Sequence, residues 1–179
     1  MSNLSEFVSV ILEELNESGL AYVVTGSFAS IVYSEPRTTM DIDIGVLAPF
    51  DEVERIRRAL VDRGLYAPSI APDTDMFNVI DLDSGWKADI IRCRDEPFER
   101  ARFARRVTVE LLPRVEAYVP TVEDMILAKL LWIRGRDSVL QLHDVESMIE
   151  YNAESLDRDY LREWAVRLDV VERLDALLG

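Results

Sequence analysis

Asp41-Ile42-Asp43 is where residue type and spacing first combine into possible chemistry. On a strand, residues two apart point to the same face. The two carboxylates then project side by side while Ile42 and Ile44 pack on the other face. Hard cations such as Mg²⁺ take oxygen ligands and keep waters and substrate phosphates for the remaining positions. A pair of carboxylates on one face is therefore half a site. A third carboxylate from a neighbouring strand would allow two ions about 3.5–4 Å apart. Asp-x-Asp occurs four times in the chain, at 41/43, 73/75, 81/83 and 157/159. Asp73 and Asp75 sit in a polar, proline-marked loop, and Asp81 and Asp83 run into a turn. Asp157 and Asp159 begin a helix, where acids favour the dipole. Only Asp41 and Asp43 lie inside an apolar strand, where unpaired carboxylates are costly to bury.

Three neighbouring segments add to the pair. Gly26-Ser27 falls between a strand and a helix. A glycine there lets the backbone approach a phosphate, and the helix start supplies unpaired N–H groups. Arg37-Thr38-Thr39 could bind phosphate or brace the loop. Lys87-Ala88-Asp89-Ile90-Ile91 sets one acid in an apolar strand. Taken singly, Gly-Ser is a common turn and Asp89 is an edge-strand aspartate facing water.

Together they resemble the nucleotidyltransferase superfamily, whose fold is shared with DNA polymerase beta. The family pattern is Gly-Ser at a helix start, then Asp-x-Asp on the next strand, then a third acid on a later strand. Gly26-Ser27, Asp41-x-Asp43 and Asp89 follow that order. The stretch Thr25-Gly26-Ser27-Phe28-Ala29 … Tyr33 … Arg37-Thr38-Thr39-Met40-Asp41-Ile42-Asp43-Ile44 is similar to small bacterial members, including AbiEii-type toxins and the minimal nucleotidyltransferases of toxin–antitoxin pairs. Arg37, Thr39, Asp41 and Asp43 match a frequent Arg-x-Thr-x-Asp-x-Asp form. The resemblance covers residues 20–92 well and the tail more loosely, through Glu123-Asp124-Met125-Ile126-Leu127-Ala128-Lys129-Leu130. Thr25 departs from the pattern, since many relatives have a first glycine there.

The resemblance implies transfer of a nucleoside monophosphate from an NTP to a hydroxyl, with pyrophosphate leaving. It implies that Asp41 and Asp43 hold the ion gripping the triphosphate. Asp89 with them would hold a second ion, lowering the pKa of the attacking hydroxyl or acting as its base. Mg²⁺ is the expected ion, with Mn²⁺ as a substitute. Gly26, Ser27, Arg37 and Thr39 would bind the substrate, and Lys129 would neutralise charge building on the pyrophosphate. Arg134, Arg136 and Asp144 stand behind Lys129 as weaker carry-overs. Lys87 is expected on the strand face opposite Asp89, in a structural role. RNA or a partner protein is favoured as acceptor, with a small molecule such as an antibiotic as the alternative. Two other readings are a non-catalytic binding or antitoxin module on the same fold, and a regulatory α/β domain whose acids diverge.

The elements that must position these residues follow from periodicity. Leu4, Phe7, Val8, Ile11, Leu12 and Leu15 recur at helical spacing over 4–18, and Gly19 stops the helix. Tyr22 to Thr25 reads as a strand, Ser27 to Tyr33 as a helix ended by Pro36, and Met40 to Val46 as a strand. Pro49 to Arg63 reads as a helix. Met76 to Leu82 and Trp86 to Arg92 read as strands joined by Asp83-Ser84-Gly85, a hairpin signal. Pro97 to Arg105 is a short helix or loop, Val107 to Leu112 a strand, and Tyr118-Val119 a brief one. Thr121 is a good N-cap, and from there the pattern is helical at about 122–134, 138–152, 157–167 and 169–178. The expected fold is α/β (α+β), a mixed sheet flanked by helices over residues 1–119, then a helical region over 120–179.

Composition bounds the rest. The 179 residues suit one domain of ordinary size, and 49% hydrophobic content supports a packed core. A net charge of −14 disfavours coating nucleic acid or docking on anionic lipid by bulk charge. No apolar run approaches a membrane span and no secretory signal is visible, so a cytoplasmic setting is expected. The basic residues are 18 arginines and two lysines, Lys87 and Lys129. Seven arginines between Arg92 and Arg114 meet four acids, a local basic island that suggests a surface for RNA or an acidic partner. His143 has no second histidine or cysteine nearby, which disfavours a zinc-type site. Cys93 reads as a small buried residue, Trp132 and Trp164 as core, and Trp86 as packed.

Overall fold

A computed structural model of the protein describes residues 3–35, 42–135 and 138–179. Arg37, Thr39, Asp41 and Arg136 lie outside the described residues. Four strands form a mixed sheet in the order β1-β2-β4-β3: β1 (Ala21–Thr25), β2 (Ile42–Leu47), β3 (Met76–Ile80) and β4 (Lys87–Cys93). β1 and β2 pair antiparallel, β2 and β4 parallel, β4 and β3 antiparallel. The helices α1 (Leu4–Ser18), α2 (Gly26–Ser30), α3 (Phe50–Asp62) and α4 (Pro97–Ala104) accompany it. A two-stranded ribbon, β5 (Val107–Leu112) and β6 (Val115–Val119), follows. Tyr118 of the ribbon meets Tyr22 of β1 edge-on, with ring centroids 5.4 Å apart. The chain ends in α5 (Val122–Trp132), α6 (Val139–Tyr151), α7 (Arg158–Arg167) and α8 (Val171–Leu178). The expected mixed sheet with flanking helices and a helical tail is thus the architecture observed.

Alternation decides which face of the sheet is core. Tyr22 and Val24, Ile42, Ile44 and Val46, Ala88 and Ile90, and Phe77 and Val79 join the apolar stripes of α1 and α3 in one cluster. Burying each large side chain there contributes about 1.5–3 kcal/mol. The same cluster continues through α5, whose residues are buried nearly all round its axis. α1 starts on a capping box between Asn3 and Glu6, and it stops at Gly19 in the left-handed conformation. The opposite sheet face carries a smaller cluster, Val23, Cys93 and Phe103, under α4. Cys93 is buried as expected, and burial pushes its thiol up to about 12. Trp164 is core, but Trp132 is 65% exposed, a correction to the expectation. α5 is so evenly apolar that periodicity does not single out an outward face, and Trp132 falls on its last turn.

Five arginines of the basic island are ion-paired within the molecule. Arg92 and Arg94 both pair with Asp75, Arg100 with Asp95, and Arg102 with Glu99. Arg105 reaches Glu123 at 3.2 Å and Asp124 at 3.3 Å, and its guanidinium lies 3.8 Å from the ring centroid of Tyr160. Arg106 stacks over Tyr118. Asp124 is fully buried and also accepts from the Tyr160 hydroxyl at 2.6 Å. Burial, then that hydrogen bond, holds the Tyr160 phenol far above its ordinary pKa. Arg105 thereby ties the segment after α4 to α5 and α7. Removing one partner of such a network leaves buried carboxylates uncompensated. Arg105→Ala is expected to lower unfolding stability by about 3 kcal/mol, read from the midpoint of urea denaturation at unchanged slope.

Candidate functional site

The register of the sheet builds the site. Thr25 pairs with Asp43, Asp43 with Asp89, and Asp89 with Asn78. These four residues form one row across β1, β2, β4 and β3. Paired residues in a row face the same side, and adjacent strands lie about 4.8 Å apart. Ile42 and Ile44 are buried in the main core, so Asp43 between them turns to the opposite face. Ala88 and Ile90 do the same for Asp89. The two acids therefore stand side by side at one end of the face whose other end is closed by Val23, Cys93 and Phe103.

Gly26 fits against this pair. It follows β1 directly, and its φ of +67° is a left-handed conformation. A Cβ there would lie 1.9 Å from Asp43 Oδ2 and 2.8 Å from its Cγ. The carboxylate of Asp43 is packed onto a bare glycine Cα, which only glycine permits. α2 is a five-residue helix, so its backbone contributes less than a long helix start would.

The helical tail completes the surroundings. Lys129 is 4% exposed, and its Nζ donates to Asp144 Oδ2 and Gln141 Oε1, each at 2.8 Å. Ser27 Oγ donates to the same Asp144 oxygen at 3.4 Å. Thr25 Oγ1 lies 3.8 Å from the sulfur of Met125 on α5. The residue after Gly26 is thus joined through Asp144 to the buried lysine of α5. Tyr33 Oη donates to the Pro120 carbonyl at 2.8 Å, and the Asn152 amide donates to the Tyr33 carbonyl at 2.8 Å. Burial, then the charges of Glu123 and Asp124, pushes the Tyr33 phenol up to about 12. These contacts hold the segment after α2 against the helical tail.

The structure brings Gly26, Asp43 and Asp89 together directly, and it brings Ser27 and Lys129 together through Asp144. Arg134 points elsewhere, donating to the Leu168 carbonyl at 3.0 Å. Lys87 corrects the sequence reading. Two residues from Asp89 on one strand, it shares that residue's face, and its Nζ lies 3.4 Å from Asp89 Oδ1. Asn78, whose amide donates to Asp89 Oδ1, was not among the expected site residues. Phe77 and Val79 are buried in the core, which already turns residue 78 to the acid face, but only the register sets it beside Asp89.

Carboxylates of this kind are hard-oxygen donors, the type that could hold a cation such as Mg²⁺ or Mn²⁺. Among the described residues no third His, Cys, Asp or Glu completes a metal-binding group. Asp41, two positions ahead of Asp43 in sequence, lies outside them. Nor, among the described residues, is any helix long and apolar enough to cross a membrane.

No protein-family model and no curated protein matches the sequence. Solved structures do resemble this one. An antigenic nucleotidyltransferase-like protein from Paracoccidioides brasiliensis aligns with a TM-score of 0.59 at 16% identity, over 98% of this chain and 91% of that one. ANT(2'')-Ia in complex with adenylyl-2''-tobramycin aligns with a TM-score of 0.60 at 14% identity, over 94% and 98%. The lincosamide antibiotic adenylyltransferase LnuA, lincomycin-bound, aligns with a TM-score of 0.55 at 14% identity, over 84% and 98%. At these identities the likeness is one of fold.

Proposed function

We propose that this chain, which has the fold of the nucleotidyltransferases, moves a nucleoside monophosphate from an NTP to a hydroxyl acceptor. One observation carries the reading: Asp43 and Asp89 stand in register on neighbouring parallel strands, with the bare Cα of Gly26 packed against Asp43. Two adjacent carboxylates repel each other unless a cation or proton joins them. Lys87, 3.4 Å from Asp89, offsets part of that repulsion, and a cation bound beside the pair would offset more of it.

Asp41, Asp43 and Asp89 would hold the ions. Bound there, a divalent ion would supply charge to the triphosphate and lower the pKa of the attacking hydroxyl. The chain's own residues do the rest. The acceptor oxygen attacks the α-phosphorus, the bond from that phosphorus to the β-phosphate oxygen breaks, and Asp89 takes the hydroxyl proton. Gly26 and Ser27 border the triphosphate, with Arg37 and Thr39 in the same binding set. Lys129 would offset charge developing on the leaving pyrophosphate, with Asp144, its partner at 2.8 Å, balancing part of its charge in the resting site.

For the acceptor, the ion pairing of the arginines supports a small molecule. The case for RNA or a protein acceptor rests on the basic island between Arg92 and Arg114. Arg92, Arg94, Arg100, Arg102 and Arg105 are all ion-paired with acids within the fold, Arg92 and Arg94 sharing Asp75. A net charge of −14 with that island paired suits a small, hydroxyl-bearing, cationic acceptor better than a polyanion. ANT(2'')-Ia and LnuA, whose solved complexes hold an adenylylated antibiotic and an antibiotic, offer a precedent in fold. The test is incubation with α-labelled NTPs and Mg²⁺ against tRNA, total protein and a panel of aminoglycosides and lincosamides. Label on a small molecule supports this acceptor class. Label on RNA or protein overturns the acceptor assignment and keeps the chemistry. No label on any of them favours a non-catalytic module.

A further inference from the structure

Asn78 is the register partner of Asp89 on the strand away from Asp43. Its Nδ2 donates a hydrogen bond to Asp89 Oδ1. Asp89 therefore sits between two neighbours in one row, Asp43 on the β2 side and Asn78 on the β3 side. Lys87 approaches from along the strand, 3.4 Å from Oδ1 and 3.5 Å from Oδ2. It is 37% exposed and carries a flexible stem, so it supplies charge more than orientation. The amide of Asn78 is different: a neutral donor on a short side chain, on a strand pinned to β4 over its whole length.

We propose that Asn78 is a positioning residue for Asp89. By holding Oδ1 toward β3, it leaves Oδ2 for the β2 side, where Asp43 stands. An aspartate with no such anchor rotates about its terminal torsion and offers either oxygen. The anchor fixes one orientation before any ligand arrives, so binding costs less ordering. The inference rests on the functional reading above and adds to it a residue that does not itself contact substrate. Hydrogen-bond partners of this kind are worth about 10–100-fold in metal affinity or activity.

The test measures Mn²⁺ binding by electron paramagnetic resonance, with the α,β-methylene triphosphates of the four nucleosides. The proteins compared are the parent, Asp89→Asn, Asn78→Ala, Asn78→Leu and Asn78→Gln, each first checked by thermal unfolding. Asn78→Ala and Asn78→Leu are expected to weaken Mn²⁺ binding about tenfold or more without a matching change in melting temperature. Asn78→Gln, which keeps the amide donor, is expected to recover part of that loss. Should Asp89→Asn lose Mn²⁺ while Asn78→Ala and Asn78→Leu bind like the parent, the role of Asn78 is refuted and the functional reading stands. Equal losses in the Gln and Ala variants likewise refute a role for the amide. If Asp89→Asn itself binds Mn²⁺ like the parent, the functional reading fails and this inference with it.

Discussion

Asp89→Asn is expected to reduce nucleotidyl transfer about 10³-fold or more while leaving the protein folded. The substitution preserves shape and removes one charge. A bound ion supplies several kcal/mol of transition-state stabilisation, and each 1.36 kcal/mol is a factor of ten in rate, so losing one ligand reaches three orders of magnitude. The proton acceptor for the attacking hydroxyl is lost in the same step. Stability should move little. Asp89 sits between a donor, Asn78, and an acid, Asp43, and the new amide can turn its oxygen toward Asn78. Relief of repulsion from Asp43 opposes the loss of the Lys87 contact at 3.4 Å. A change within about 1 kcal/mol is expected, since surface-level charge pairs are worth that much. Pyrophosphate release with the identified acceptor reads the first effect, and thermal unfolding reads the second. A large fall in both would mark Asp89 as structural.

Gly26→Ala carries the second large effect, and here activity and stability fall together. The residue holds φ at +67°, which costs an alanine about 1 kcal/mol or more. Its Cβ would meet Asp43 Oδ2 at 1.9 Å, far inside contact distance. Asp43 must then rotate away or the turn after β1 must open. Either displaces a carboxylate that needs sub-ångström placement, and a misplacement of about 1 Å costs on the order of 10²-fold in rate. Stability is expected to drop by about 2 kcal/mol, the sum of strain and clash. The double variant Gly26→Ala/Asp43→Gly removes the clashing carboxylate. It should regain stability beyond the Gly26→Ala single variant, yet remain inactive. Unfolding midpoints of the three proteins distinguish a steric clash from backbone strain alone, which the second substitution would not relieve.

Much of the placement of these candidate residues is legible in the sequence. Alternation around Ile42 and Ile44 sets Asp43 on the face away from the core, and Ala88 and Ile90 do the same for Asp89. Gly26 stands out as a glycine between a strand and a helix. What alternation does not contain is register. A shift of two residues between β2 and β4 would keep every side chain on its face and still part Asp43 from Asp89 by about 7 Å. That alignment depends on how the strands dock, and so does the contact between Asn78 and Asp89. Lys87 is the opposite case. Its separation of two from Asp89 places it on the same face by strand geometry alone, and expecting it on the other face miscounts the period. The arginine island illustrates a third point. Charge counted along the chain ignores acids distant in sequence, and Asp75, Glu123 and Asp124 are 17 or more residues from the arginines they pair with. The buried Lys129–Asp144 pair, 15 residues apart, is equally a product of helix docking.

The central claim is that Asp43 and Asp89 together make a cation-dependent NTP site. Titration calorimetry with each of the four NTPs, with and without Mg²⁺, tests it on the parent and on Asp43→Ala/Asp89→Ala. The account predicts that the parent binds at least one NTP only when Mg²⁺ is present, and that the double variant, still folded, binds none. Equal binding by the two proteins, or binding by the parent that is indifferent to Mg²⁺, would contradict it.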